Sequence, residues 1–502
     1  MARRLRLAEF IAAISLATDL GMGQPLEQCL RTCLAALELA DAAGVERERL
    51  PEVYYTALLR FLGCTADAQE TAGLAGGDEI GLRAAIAPVL GAPPFEFLHA
   101  VLPSLAAGRA VPVRLAVTVG FLTRAPGRLR EGVRAHCEAA EVLATRLGLP
   151  EGTRAALRAS FETWDGHGFP NGTAGEAIPL ASRIVFAARD IEVIGRLHGL
   201  DAVRMALRAR AGHSLDPVIA SAALRSTDRI VHAARTELPW EEVLRREPRP
   251  VVEFAEERVA GVLEVFADFA DLKVPARAGF SREVAALAAS AVTNSSEVVR
   301  RAGLVQDLGR VAVPAGGTRS TVDQERLRLH PYYSERILAR VPAIAPLARL
   351  AGMHHERLDG SGYYRGATAT ELPWEARILA ASDAFRELLL AAPGHLPPPP
   401  ARAAEALARQ APHMLDRDAV EAVLGAAGLR EGRARPVWPG GLTEREVEVL
   451  RHLCRGATKR DVAAALAISP STADHHVRHI YAKTGVSSRA AATLFAVEHD
   501  LL

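Results

Sequence analysis

Met353-His354-His355-Glu356-Arg357-Leu358-Asp359-Gly360-Ser361-Gly362-Tyr363-Tyr364-Arg365-Gly366 puts two adjacent histidines, two carboxylates and three glycines into fourteen residues. Upstream, Ile337, Leu338, Val341, Ile344, Leu347, Leu350 and Ala351 recur at three- and four-residue steps, which predicts a helix from Glu335 to Met353. Pro342 and Pro346 are placed to kink or divide it. Asp-Gly-Ser-Gly then stops it, because closely spaced glycines favour turns. Side chains one apart on a helix diverge by about 100°. His354 and His355 can therefore serve one metal only at a helix end, and the glycines supply that end.

The same pattern occurs twice. Phe161-Glu162-Thr163-Trp164-Asp165-Gly166-His167-Gly168-Phe169-Pro170-Asn171-Gly172 mirrors His355 to Gly366 at a constant offset of 194. That offset holds back to His136 and His330, and forward through Ile178-Pro179 and Leu372-Pro373 to Arg183-Ile184 and Arg377-Ile378. Landmarks kept in step without a gap over such a span indicate a duplicated fold. Further upstream, Ala57 to Gly63 parallels Gly303 to Gly309 at an offset of 246, so the first copy carries about fifty extra residues. Gly73 to Pro94, rich in Gly, Ala and Pro, reads as part of that insertion and as a surface excursion. Both copies read as helices throughout.

The stretch from His354 resembles the signature of the HD-GYP family, metal-dependent phosphohydrolases that cleave cyclic dinucleotides: His-His-Glu-x-x-Asp-Gly-x-Gly-Tyr-Pro-x-Gly. Tyr364 stands where that pattern has proline. The resemblance implies metal ligands from several helices. In the second copy these fall at Asp307, His330, His354, His355 and Asp383, with Arg310 in place of the usual lysine as the phosphate contact. Two family imidazoles are missing: Phe280 takes the first histidine's position and Gln306 the histidine of the His-Asp doublet. What remains implies one divalent metal, iron, manganese or zinc, held by Asp307, His330, His354 and His355, and not a two-metal clamp. In the first copy Arg60, Phe61, Ser160, Phe161 and Arg189 occupy ligand positions and only His136 survives, so that copy is expected to be metal-free and structural.

Residues 441 to 502 resemble the LuxR-type helix-turn-helix, through Leu442-Thr443-Glu444-Arg445-Glu446, Gly456, Thr458-Lys459, Ile468-Ser469, Thr472, Ile480-Tyr481, Lys483 and Gly485 to Arg489. Thr443 and Glu446 are spaced for a capping box, and Ser469-Pro470 for the start of the recognition helix. Lys459, Ser471, Thr472, His475, Arg478, His479 and Lys483 are the candidate contacts to duplex DNA. From Arg451 to Arg489 seven basic residues face two acidic ones, a local net charge of +5 suited to phosphate. Asp474 departs from the family, which usually has lysine there. The last helix, apolar at Ala491, Leu494, Phe495 and Val497, corresponds to the family's dimerising helix and implies a homodimer.

Composition agrees with a globular chain of about three domains: 502 residues, 49% hydrophobic, 24% charged, formal net charge +1. Five scattered cysteines (Cys29, Cys33, Cys64, Cys137, Cys454) form no zinc pattern and read as buried thiols of a reducing cytoplasm. Arg3 to Arg6 before an apolar run imitates a secretory leader, but Glu9 and Asp19 interrupt the run, which reads instead as an amphipathic helix. No apolar stretch approaches membrane length.

The expected architecture is all-α: two tandem HD-GYP-like domains (1–245, degenerate; 250–430, with the partial metal site), a linker (431–440) and a four-helix LuxR-type module (441–502). The expected function is a cytoplasmic DNA-binding transcription regulator whose HD-GYP-like copies form a sensory platform for a metal, nucleotide or cyclic dinucleotide. The alternative is an active phosphohydrolase carrying a DNA module.

Overall fold

The computed structural model describes residues 4–317, 320–391, 397–428, 438–466 and 468–502. Among the described residues the regular structure is helical apart from two isolated bridges and one two-stranded antiparallel ladder, in which Arg4–Arg6 pairs with Glu253–Ala255. Three-residue strands carry too little periodicity to be read from sequence. By contact, the chain divides into Met1–Arg258 with Ala312–Arg319, and Val259–Val311 with Ser320–Leu502. The C-terminal module therefore groups with the second copy. Most of the expected linker, 431–437, lies outside the described residues, and Pro439–Gly441 forms a short 3-10 turn before the module.

In the first unit, helix Gln28–Ala42 packs against Leu50–Leu59, Leu180–His198 and Thr227–Ala234. Two expectations are corrected here. The N-terminal helix Leu7–Gly21 is buried on nearly every side, Glu9 and Leu20 excepted, so it is a core helix and not an amphipathic one. Gly73 to Pro94 is no surface loop either. Helices Ala68–Ala75 and Glu79–Ile86 cross it, Asp78 caps the second by accepting from the Gly81 amide, and Leu74, Ile80 and Leu82 are buried. Burial of these side chains outweighed the local glycine and proline signals there.

In the second unit, helix Trp374–Leu388 packs on Phe280–Ser290 and Arg417–Ala426, while Phe280–Ser290 lies along Ser296–Val305. The helix expected over 335–353 is divided into Thr321–Leu338 and Ala345–Ala351, as the prolines foretold.

The 194-residue repeat recurs as repeated contacts. Glu162 accepts from the amides of Asn171 and Thr173 at 2.8 and 3.0 Å, and Glu356 from those of Arg365 and Ala367 at 2.8 Å each. Arg183 pairs with Asp216 at 2.7 Å, and Arg377 with Asp416 at 2.9 Å. Gly63 and Gly309 each lie beneath a histidine backbone: an added Cβ would stand 1.9 Å from the His136 carbonyl oxygen and 2.2 Å from that of His330. Only glycine permits that approach.

Candidate metal centre and DNA-binding module

His330 projects from the helix Thr321–Leu338, which Ser320 and Asp323 start with a capping box. Asp307 follows the helix Ser296–Val305, and Asp383 stands within Trp374–Leu388. His354 and His355 lie just past the helix Ala345–Ala351, where the chain leaves its regular path, and their rings come within 4.2 Å. Asp307, His330, His354 and His355 thereby present ligand atoms all within 4.8 Å of one another, and all four are buried. Arg277, which sequence reasoning did not single out, lies beside them.

The protons on the two central imidazoles can be placed. His330 Nδ1 lies 2.6 Å from the Leu327 carbonyl and His354 Nδ1 2.7 Å from that of Ala351. Carbonyls only accept, so both Nδ1 atoms donate and each Nε2 turns inward. Burial keeps His330 neutral by pushing its pKa down to about 4, and pushes His355 down as well. The two Nε2 atoms stand 3.0 Å apart, and Asp307 Oδ1 lies 3.2 and 3.4 Å from them. Asp307 Oδ1 and His355 Nε2 have no hydrogen-bond partner. Converging acceptors repel unless a cation sits among them, and separations of this size suit the edges of a coordination sphere with bonds of about 2.0–2.2 Å. The residues present fit one divalent metal. Backbone carbonyls on Nδ1 are the usual means of fixing ligand rings.

Asp383 stands outside this set. Its Oδ2 lies 3.6 Å from His355 Nδ1, its Oδ1 accepts from Gln306 at 2.9 Å, and burial pushes its pKa up to about 7. It backs His355 and does not converge with the other four.

Arg277 occupies the side of the centre next to Phe280. Its guanidinium donates to Asp307 Oδ2 and to Glu387, and lies 3.6 Å from the centroid of the Phe280 ring. Burial works against charge on both partners, yet the contacts prevail: Arg277 is pushed up, and Asp307 is held well below the usual carboxylate range. The signal in the sequence was the retained Asp307 itself, since a buried carboxylate whose neighbouring ligand positions hold Phe280 and Gln306 needs a further cation. Arg310 stands farther off, 3.9 Å from Asp307 and 3.7 Å from Glu387, and is partly exposed. Tyr364, the departure from the signature, donates to Glu335 at 2.7 Å.

The C-terminal module has helices Glu444–Cys454, Lys459–Ala465, Pro470–Thr484 and Arg489–Glu498 around Val447, Leu450, Val462, Val477 and Ile480. The Thr443–Glu446 capping box is present, Ser469 caps the recognition helix, and a second box at Thr458 and Asp461 was not foreseen. Lys459, Ser471, Thr472, His475, Arg478 and His479 are all exposed. Two of these cations are engaged: Asp474 pairs with Lys459 and, at 3.2 Å, with Arg478. Lys483 is tied to Glu446 at 2.7 Å and to the Gly441 carbonyl at 3.1 Å, which fastens the recognition helix to the first helix of the module. On the last helix Ala491, Leu494 and Val497 are buried within the chain.

The loop 275–279 touches both sites. Arg277 faces the metal centre, whereas Ala278 packs on the apolar core of the C-terminal module. A Cβ at Gly279 would meet Leu502 at 3.3 Å and Val497 at 3.4 Å, and one at Gly456 would meet Pro275 at 3.2 Å.

Comparison with known proteins matches this division. Residues 264–419 match the HD domain family, and residues 441–496 match the luxR family of bacterial regulatory proteins. The chain belongs to the LuxR-type DNA-binding regulators and carries an HD domain ahead of its helix-turn-helix. It is 35% identical over 175 residues to the probable transcriptional regulatory protein NarL of Mycobacterium tuberculosis, covering 34% of this chain and 78% of that one. It is also 25% identical over 396 residues to the 3'3'-cGAMP-specific phosphodiesterase 3 of Vibrio cholerae, covering 76% of this chain and 86% of the relative. A crystal structure of a cyclic GMP-AMP-specific phosphodiesterase from V. cholerae shares the fold with a TM-score of 0.57 at 21% identity, over 86% of this chain and 99% of that one. No helix among the described residues is long and apolar enough to cross a membrane.

Proposed function

We propose that residues 250–430 form a one-metal sensor for a nucleotide or cyclic dinucleotide, and that this sensor sets the DNA affinity of the LuxR-type module in a cytoplasmic homodimer. Residues 1–245 are, in this reading, a degenerate copy of the same fold. The metal, iron, manganese or zinc, is held by Asp307, His330, His354 and His355. When bound it supplies a Lewis-acid contact for a phosphate oxygen. Arg310, at the rim, adds positive charge for the same ligand.

The observation that carries this reading is Arg277. Its guanidinium is committed to two carboxylates of the protein, Asp307 and Glu387, so it balances the site and not a leaving oxygen. Hydrolysis needs charge stabilised at both the entering and leaving oxygens, and losing one main stabilising group typically costs about 10²–10³ in rate. The same arginine lies on the loop that packs against the DNA module, which gives occupancy of the centre a route to Val497 and Leu502.

The alternative, an active phosphodiesterase, draws on the converged ligand set and on the activity named for the V. cholerae relative. The test is to measure binding of random-sequence duplex DNA and hydrolysis of cyclic dinucleotides in parallel. Iron, manganese and zinc are supplied in turn, to the full chain and to the His354→Ala/His355→Ala variant. The sensor reading expects metal- and nucleotide-dependent DNA affinity without appreciable product. Fast turnover that the double variant abolishes would establish the enzyme instead.

A further inference from the structure

The first unit contains a partly open cavity of about 170 Å³. Its position is informative. The positions equivalent to Asp307, His330, His355 and Asp383 are Phe61, His136, Phe161 and Arg189, and all four line this one space. Where the second copy converges metal ligands, the first has two phenylalanine rings, a histidine and an arginine. The insertion absent from the second copy supplies further wall: Arg83, Phe97, Leu129 and Val133. The positions equivalent to the metal ligands thus line a largely apolar, partly open space. An unfilled space of this size forfeits packing contacts with every lining atom.

Charge beneath the cavity is unbalanced. Arg60 is 1% exposed, and none of its three guanidinium nitrogens has a hydrogen-bond partner. It lies over the rings of Phe161 and Phe186 at 5.0 and 4.9 Å. Arg189 and Arg210 share a single carboxylate, Asp190, at 2.5 Å each. Two further carboxylates on this side are paired, Asp67 with Arg83 at 2.7 Å and Glu192 with Arg196 at 3.0 Å, while the carboxyl of buried Asp19 accepts from the Cys29 amide at 3.0 Å and its pKa is raised to about 8 by burial. Three buried guanidiniums thus stand near one shared carboxylate; Arg189 also donates to the Ala87 carbonyl and Arg210 to those of Pro88 and Leu90, which leaves the positive charge only partly compensated, and that is costly.

We infer that the first copy binds a small organic acid, one apolar ring or short chain bearing a single carboxylate, with its body between Phe61, Phe161 and Val133 and its carboxylate at Arg189. The size agrees, since a cavity of about 150 Å³ accommodates benzene. The site is separate from the metal centre, and this inference does not depend on what that centre does.

The experiment is calorimetric titration of the full chain with phenylacetate and with uncharged benzyl alcohol. It is repeated on Val133→Phe, which fills the cavity from a partly exposed helix position, and on Arg189→Met, which leaves Asp190 paired with Arg210. The His354→Ala/His355→Ala variant serves as the control for the metal centre. Expected is one saturable phenylacetate site per chain, lost in Val133→Phe, weakened roughly 10- to 100-fold in Arg189→Met, and unchanged in the control. No heat with either probe, or binding that survives Val133→Phe, would overturn the site. Benzyl alcohol binding as well as phenylacetate, with Arg189→Met indifferent, would overturn the assignment of an acid.

Discussion

Arg277 is the residue on which the reading of the second copy turns. Phe280 and Gln306 stand where the resemblance expects imidazoles, but ligand positions alone do not say what neutralises the acid beside them. The structure supplies the missing cation three residues before Phe280, on Asp307 and Glu387. Arg277→Ala should therefore leave buried Asp307 without its nearest guanidinium and half-buried Glu387 with only the more distant Arg310, and destabilise the protein by up to about 3–5 kcal/mol, measured by chemical denaturation. A loss below about 1 kcal/mol would mean that the guanidinium is a bystander. Asp474 plays the opposite part in the DNA module. It was legible as a departure from the family, but its grip on both Lys459 and Arg478 was not. Asp474→Lys should release both cations, raise affinity for duplex DNA and steepen its salt dependence by about two to three phosphate contacts, read by fluorescence anisotropy over a salt series. An unchanged salt slope would show that these side chains do not reach phosphate.

At the scale of elements, what the sequence carried best was whatever depends on a turn or a cap. The histidine pair at a helix end, the divided helix over 335–353 and the Thr443–Glu446 box each rest on one or two residues with a strong local preference. What it carried poorly depends on packing. The Ala- and Gly-rich stretch before Pro94 has no strong local signature, and its helices exist because Leu74, Ile80 and Leu82 find a core. The two glycines under the histidine helices join both kinds of information, since their equivalence was visible and their purpose was not. Gly309→Ala should cost at least about 1–3 kcal/mol by forcing the His330 backbone away, and should weaken metal binding because His330 moves with it. Gly63→Ala should destabilise comparably, through His136, without changing metal affinity. Equal metal affinity in both variants would separate His330 from the metal.

For the whole molecule, the HD domain and the C-terminal module were legible because both match long patterns of residues. The link between them was not, because it consists of small residues, Pro275, Ala278 and Gly279, whose role lies only in what they touch. In the proposed reading, a regulator of this kind needs a sensor that binds without consuming its signal, a need that a single metal held by three imidazoles and one carboxylate would meet. The most direct test is the metal content of the full chain, purified without chelator and measured by elemental analysis. The account predicts one divalent metal per chain, retained in His136→Ala and lost in His354→Ala/His355→Ala. Two metals per chain, or one that survives the double substitution, would contradict it.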